Sequence, residues 1–159
     1  MQIRIGASDE APLPLLLSAD PSEQAIRTYL RRGTLFLGEQ EGRVVAVAVL
    51  TVDGAGAELN NLAVDPAHQG RGLGRRMLAH VLAHARASGC TRVEVGTGNS
   101  SLRQLEIYQR SGFRITGVVR DYFAAYEPPI VENGLRCLDM IRLTADLTDA
   151  AVRDGNITD

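Results

Sequence analysis

The sequence predicts one α/β domain built on a mixed, mainly antiparallel sheet, and three features carry that expectation. Two hairpin signals, Glu41-Gly42 and Asp53-Gly54, separate apolar runs in the first half of the chain. Leu73, Met77, Leu78, Val81, Leu82 and Ala85 then recur at helical spacing. Beyond that stripe, helix-like and strand-like segments alternate.

Taken in order, Gln2 to Ala7 alternates as a first strand, and Ser8-Asp9-Glu10 reads as a helix start before the apolar face of Leu13 to Leu17. Pro21-Ser22-Glu23 opens a second helix through Arg32, with Ala25, Ile26, Tyr29 and Leu30 on one face and Gly33 as its stop. Thr34 to Gly38 and Val44 to Val52 read as strands. The second is apolar almost without a break, which suits a central strand covered on both faces. Ala57 to Val64 is the next strand, and the striped helix ends at Gly89. Thr91 to Thr97 is a strand, Ser101 to Ser111 a helix stopped by Gly112, and Phe113 to Arg120 and Leu135 to Thr144 are two last strands. The domain is expected to span residues 1–144, followed by an acidic tail over 145–159.

Composition narrows the function classes. The chain has 159 residues, 45% hydrophobic and 23% charged, enough to bury a core without disulfides. A net charge of -2 argues against nucleic acid as the main partner, since phosphate backbones select basic surfaces. Cys90 and Cys137 lack CxxC spacing. Met1 to Ser8 has no basic segment leading into a long apolar one, and no run is long enough for a membrane helix. No secretory signal, no membrane partner and a cytoplasmic location are the expectations.

The strongest chemical signal is Leu59 to Leu78, LNNLAVDPAHQGRGLGRRML. A strand ends at Asp65-Pro66, and a glycine-rich turn leads straight into the striped helix. Gly70, Gly72 and Gly74 remove side chains where a ligand must approach the backbone. The first amides of a helix lack partners and sit at the positive end of its dipole, so a phosphate or diphosphate is the natural occupant. Arg71, Arg75 and Arg76 add charge. The plainer alternative is a tight strand-to-helix turn with no ligand. Neither GxGxxG nor a Walker loop fits, because Arg75 stands where a third glycine belongs and no Gly-Lys-Ser/Thr follows.

Gln69-Gly70-Arg71-Gly72-Leu73-Gly74 resembles the Q/R-x-x-G-x-G/A signature of the GNAT superfamily of N-acetyltransferases, and Tyr108-Gln109-Arg110-Ser111-Gly112-Phe113 resembles its Y-x-x-x-G-F element. Order and spacing agree over roughly residues 2 to 144. The resemblance implies the GNAT fold, a seven-stranded sheet with about four helices that splays between its fourth and fifth strands. It implies acetyl-CoA as cosubstrate, with no metal, and transfer of the acetyl group to a primary amine by direct attack in a ternary complex.

The coenzyme contacts it implies are the backbone of Leu62, Ala63 and Val64, the turn residues Gln69, Gly70, Arg71, Gly72, Leu73, Gly74 and Arg75, and Asn99, Ser101 and Tyr108. Glu58 is the implied general base, needed because an amine near pKa ~10.4 is protonated at neutral pH. The alternative is a strand carboxylate facing solvent or an arginine. The Leu62 N–H is the implied oxyanion donor, and Tyr108 the implied acid that protonates the leaving thiolate. The alternative for Tyr108 is a core tyrosine beside Leu105. The family often has asparagine and alanine seven and four residues before that tyrosine. Here Ser101 and Gln104 stand there, and Asn99 is either a shifted coenzyme contact or a turn or cap residue.

Other residues carry weaker signals. His80 and His84 have metal-compatible spacing without the Glu of HExxH, so the polar side of a helix is the simpler reading. His68 borders the glycine turn as a capping residue, and Cys90 reads as buried and structural. The loop Asp121 to Asn133 offers Tyr122, Phe123, Tyr126, Glu127 and Glu132 either as an acceptor wall or as a surface or dimer loop. Strand edges near the C-terminus are compatible with a homodimer. A non-catalytic acyl-CoA-binding module is the rival function. The acceptor amine and the donor chain length are not encoded in any motif.

Overall fold

The computed structural model describes residues 1–148 and resolves into two compact units, the first running from Met1 to Cys90 and the second beginning at Thr91. The acidic tail expected from residue 145 lies outside the described residues from 149 onward.

The first unit contains β1 (Gln2–Gly6), α1 (Leu13–Ala19), α2 (Glu23–Arg32), β2 (Thr34–Gln40), β3 (Arg43–Asp53), β4 (Gly56–Val64) and α3 (Leu73–Ala87). Its strands pair antiparallel in chain order, joined by the turns the sequence marks: Glu41 and Gly42 both have positive φ, as does Gly54. β3 is buried from Val45 to Leu50, the two-sided burial expected of its unbroken apolar run. On one face Leu35, Leu37, Val47, Val49 and Ala63 pack with Leu16 of α1 and Ile26 of α2. On the other, Phe36 meets α3, and a side chain on Gly38 would approach the Met77 methyl to 3.1 Å. Leu73, Met77, Leu78, Val81, Leu82 and Ala85 are all buried, so the helical stripe is the inner face of α3.

Ser22 caps α2 by accepting from the Ala25 amide at 3.2 Å. The Ser8–Glu10 helix start is a separate 3-10 turn, because Pro12 interrupts it before α1.

One irregularity positions the site. Along the β3–β4 ladder Val49 faces Asn61 and Leu50 faces Leu59, so Asn60 is an extra residue, a β-bulge in β4.

The second unit contains β5 (Arg92–Gly98), α4 (Leu102–Arg110), β6 (Arg114–Val119), β7 (Val131–Glu132), β8 (Leu135–Arg136) and β9 (Met140–Asp146). β9 lies between β5 and β6, antiparallel to both. Val93, Val95, Tyr108, Phe113, Leu143 and Ala145 are buried here. The single strand expected over Leu135 to Thr144 is two. Asn133-Gly134, both at positive φ, folds Leu135–Arg136 back onto Val131–Glu132, and β9 starts only at Met140. Asn99 breaks the run, its Oδ1 accepting from the Leu138 and Asp139 amides at 2.8 and 3.0 Å. No described helix is long and apolar enough to cross a membrane.

Candidate active site

The turn between β4 and α3 is built by short-range hydrogen bonds. The Asp65 amide donates to the Val45 carbonyl at 2.8 Å, and the Asp65 carboxylate accepts from the Ala67 amide at 2.8 Å. Gln69 reaches back, its Nε2 donating to the Val64 carbonyl at 3.0 Å. These contacts fix the chain's exit from β4 and leave residues 70–72 to form the turn proper.

Gly70 and Gly72 both adopt left-handed backbone, with φ of 77° and 74°. Gly72 is the N-cap of α3, and no side chain caps that end. A Cβ built on Gly72 meets nothing within 4 Å, so the glycine is required by its backbone angle and not by crowding. The helix therefore presents its first amides uncapped, with exposed Arg71 and Arg75 beside them. This chemistry fits a diphosphate. Arg76 is committed elsewhere, donating to the Met1 carbonyl at 2.9 Å.

Leu62, Ala63 and Val64 form the last residues of β4, directly before this turn, and Glu58 lies on the same strand opposite Thr51. Leu62 and Ala63 are buried, whereas Glu58 and Val64 are part-exposed. The bulge at Asn60 separates Glu58 from Leu62.

Two neighbours on β4 escape motif reading. Asn61 is 4% exposed in an otherwise apolar strand. Its Nδ2 donates to the Leu16 carbonyl at 3.0 Å and to the Tyr29 hydroxyl at 2.9 Å. The Oδ1 atoms of Asn60 and Asn61 are buried without a hydrogen-bond partner among the described residues. The signal available in the sequence was the polar pair itself, Asn60-Asn61, inside a hydrophobic run.

The remaining candidates belong to the second unit. Tyr108 is 4% exposed, its ring 5.5 Å from that of Phe113, and burial pushes its phenol well above the ordinary tyrosine value. Its carbonyl accepts from the Phe113 amide at 3.0 Å, closing the helix at Gly112. Asn99 uses its side chain within the protein, its Nδ2 donating to the Arg136 carbonyl at 3.1 Å while its Oδ1 holds Leu138 and Asp139. The Ser101 hydroxyl donates to the Glu132 carboxylate at 3.2 Å. Glu132, one candidate for an acceptor wall, thus secures the start of α4. Tyr122, Phe123 and Tyr126 form an aromatic cluster, with centroids 4.8 and 6.0 Å apart along the series.

His80 and His84 both set their rings edge-on to Phe36, at 5.7 and 5.1 Å. Cys90 and Cys137 are free and buried.

The uncapped helix behind a glycine turn, at the end of a bulged strand, is the arrangement that the resemblance to acyl-CoA-dependent acetyltransferases implies. Comparison with known proteins agrees. The model of the acetyltransferase (GNAT) family matches residues 8–113. The uncharacterized N-acetyltransferase YvbK of Bacillus subtilis is 37% identical over 150 residues, covering 92% of this chain and 97% of its own. Among solved structures, an IAA acetyltransferase from Bacillus cereus is 44% identical with a TM-score of 0.88, over 91% of this chain and 98% of that one. A GNAT family acetyltransferase from Elizabethkingia anophelis with acetyl-CoA bound is 38% identical with a TM-score of 0.86, over 91% and 97%. The chain belongs to the GNAT acetyltransferase family.

Proposed function

We propose that this protein transfers the acetyl group of acetyl-CoA to a primary amine by direct attack within a ternary complex. The observation that carries the reading is the N-terminus of α3, left uncapped behind two left-handed glycines and flanked by Arg71 and Arg75. The amides from Gln69 to Gly74 would hold the coenzyme's diphosphate. Backbone groups of Leu62, Ala63 and Val64 would pair with its pantetheine arm in the splay that the resemblance implies between the fourth and fifth strands. Acetyl-CoA supplies an activated thioester carbonyl.

The chain's own groups then divide the proton work. Glu58 takes the proton that an ammonium must lose before it can attack. The Leu62 amide faces the charge that develops on the carbonyl oxygen. The Tyr108 phenol, held protonated by burial, returns a proton to the departing sulfur. The acceptor is a small amine or a protein amine. The exposed Ile115, Val118 and Val119 of strand β6 support a homodimer.

A thiol-release assay over an amine panel, run beside calorimetry with acetyl-CoA, tests this reading. Release from at least one acceptor is expected. Tight coenzyme binding with no release from any amine favours the rival, a sensing module of the same fold. No coenzyme binding at all removes both.

A further inference from the structure

A second feature of the first unit lies beside the glycine turn. Gln40, Glu41, Arg43, His68 and Arg71 line a cavity of about 170 Å³. One wall is the β2–β3 turn, where Gln40 pairs with Arg43, and the other is the segment leading to α3. The 2.8 Å bond from the Asp65 amide to the Val45 carbonyl ties the two walls together.

The cavity's charges are not satisfied internally. The side chains of Arg43 and Arg71 have no ion pair or hydrogen bond with any described residue, whereas Arg4, Arg27 and Arg110 each hold a carboxylate within 3.0 Å. Gln40 Oε1 and His68 Nδ1 are buried and lack hydrogen-bond partners among the described residues. His68 Nδ1 lies 3.5 Å from Asp65 Oδ1, a separation too long for a good hydrogen bond. Two unpaired guanidinium groups and two orphaned polar atoms on one small cavity point to a ligand. Glu41, exposed at the left-handed apex of the turn, places one carboxylate on the lip, so the arginines leave the cavity cationic.

Guanidinium forks match the oxygens of a phosphate. Arg71 belongs both to the glycine turn and to the cavity, so an anion held at the turn has its next phosphate within a side chain's reach. Coenzyme A carries such a phosphate, a monoester on the ribose of its adenosine end. We propose that this cavity binds that phosphomonoester, with Arg43 and Arg71 as the clamps, completed by the His68 imidazole and the Gln40 amide. The proposal rests on the coenzyme reading above.

The experiment is calorimetric titration of the full chain with coenzyme A and with dephospho-coenzyme A, which lacks only the monoester, repeated for Arg43→Gln and Glu41→Gln. Wild type should bind coenzyme A about tenfold more tightly or better, the range of a charge-assisted contact. Arg43→Gln should erase most of that ratio by weakening coenzyme A alone. Glu41→Gln should widen it about two- to threefold, as removal of a nearby like charge does. Equal affinities in wild type, or an Arg43→Gln loss shared by both ligands, overturns the proposal. Inorganic phosphate that binds in an Arg43-dependent way without competing with coenzyme A assigns the cavity to free phosphate and overturns it too. If neither coenzyme binds, the function proposed above fails first, so the two failures are distinguishable.

Discussion

Asn61 Nδ2 donates to the Tyr29 hydroxyl at 2.9 Å, and that hydroxyl donates onward to Asp20 Oδ2 at 3.3 Å. The same amide holds the Leu16 carbonyl at 3.0 Å, so one side chain of β4 fastens both α1 and α2. Truncation leaves a buried carbonyl and a phenol short of a donor. Asn61→Ala should cost about 2 kcal/mol of stability, and Tyr29→Phe, which keeps the ring, about 1 kcal/mol. Urea unfolding measures both. A loss for Asn61→Ala under about 0.5 kcal/mol, the level of an ordinary surface change, would show that the network contributes nothing.

Alkaline stability follows from the two buried phenols. Burial is the chief cause that raises both Tyr108 and Tyr29 above their unfolded value near ~10. A raised pKa gives a contribution that is whole below the unfolded value and is lost as pH climbs toward the folded one. The thermal midpoint should therefore hold to about pH 10 and fall above it. Tyr108→Phe should flatten part of that fall while leaving the neutral-pH midpoint little changed, because its ring contact with Phe113 remains. An identical alkaline slope in the variant speaks against the burial argument.

Glu58→Gln tests the base. Removing a general base lowers turnover by about 10² to 10⁴. The side chain lies on β4 away from the turn that would hold the diphosphate, so coenzyme affinity should stay within about twofold. Steady-state kinetics and calorimetry read the two quantities separately. Unchanged turnover moves the base to another residue.

Gly72→Ala probes the turn. The new methyl meets no atom within 4 Å, so its whole folding cost is the left-handed backbone, about 1 kcal/mol. That methyl stands at the uncapped end of α3, and coenzyme affinity should fall about tenfold. A variant that is destabilised yet binds as tightly as wild type would leave the turn with a purely structural purpose.

Local patterns made much of this molecule readable in advance. The stripe from Leu73 to Ala85, the cap at Ser22 and the stops at Gly33 and Gly112 depend on residues within a turn or two of one another. The glycine turn was legible for the same reason. What the pattern hid depends on distance in sequence. Asn61 finds Tyr29 32 residues away and Leu16 45 away, and Asn99 settles against Leu138 39 residues on. Ser101 meets Glu132 across 31 residues. The broken final strand is a different case. Asn133-Gly134 is a short-range hairpin signal, but the proline-rich stretch before it pointed to an irregular loop instead.

The extra residue at Asn60 sets the phase of β4. Side chains alternate along a strand, so a single unpaired residue lets the stretch before it keep one parity and the stretch after it another. Excising Asn60 would straighten the ladder against β3 and leave Glu58 opposite Thr51, on the side it now occupies. Pairing Asn60 in a regular ladder would instead shift every residue before it by one place and send the Glu58 carboxylate to the other side of the sheet.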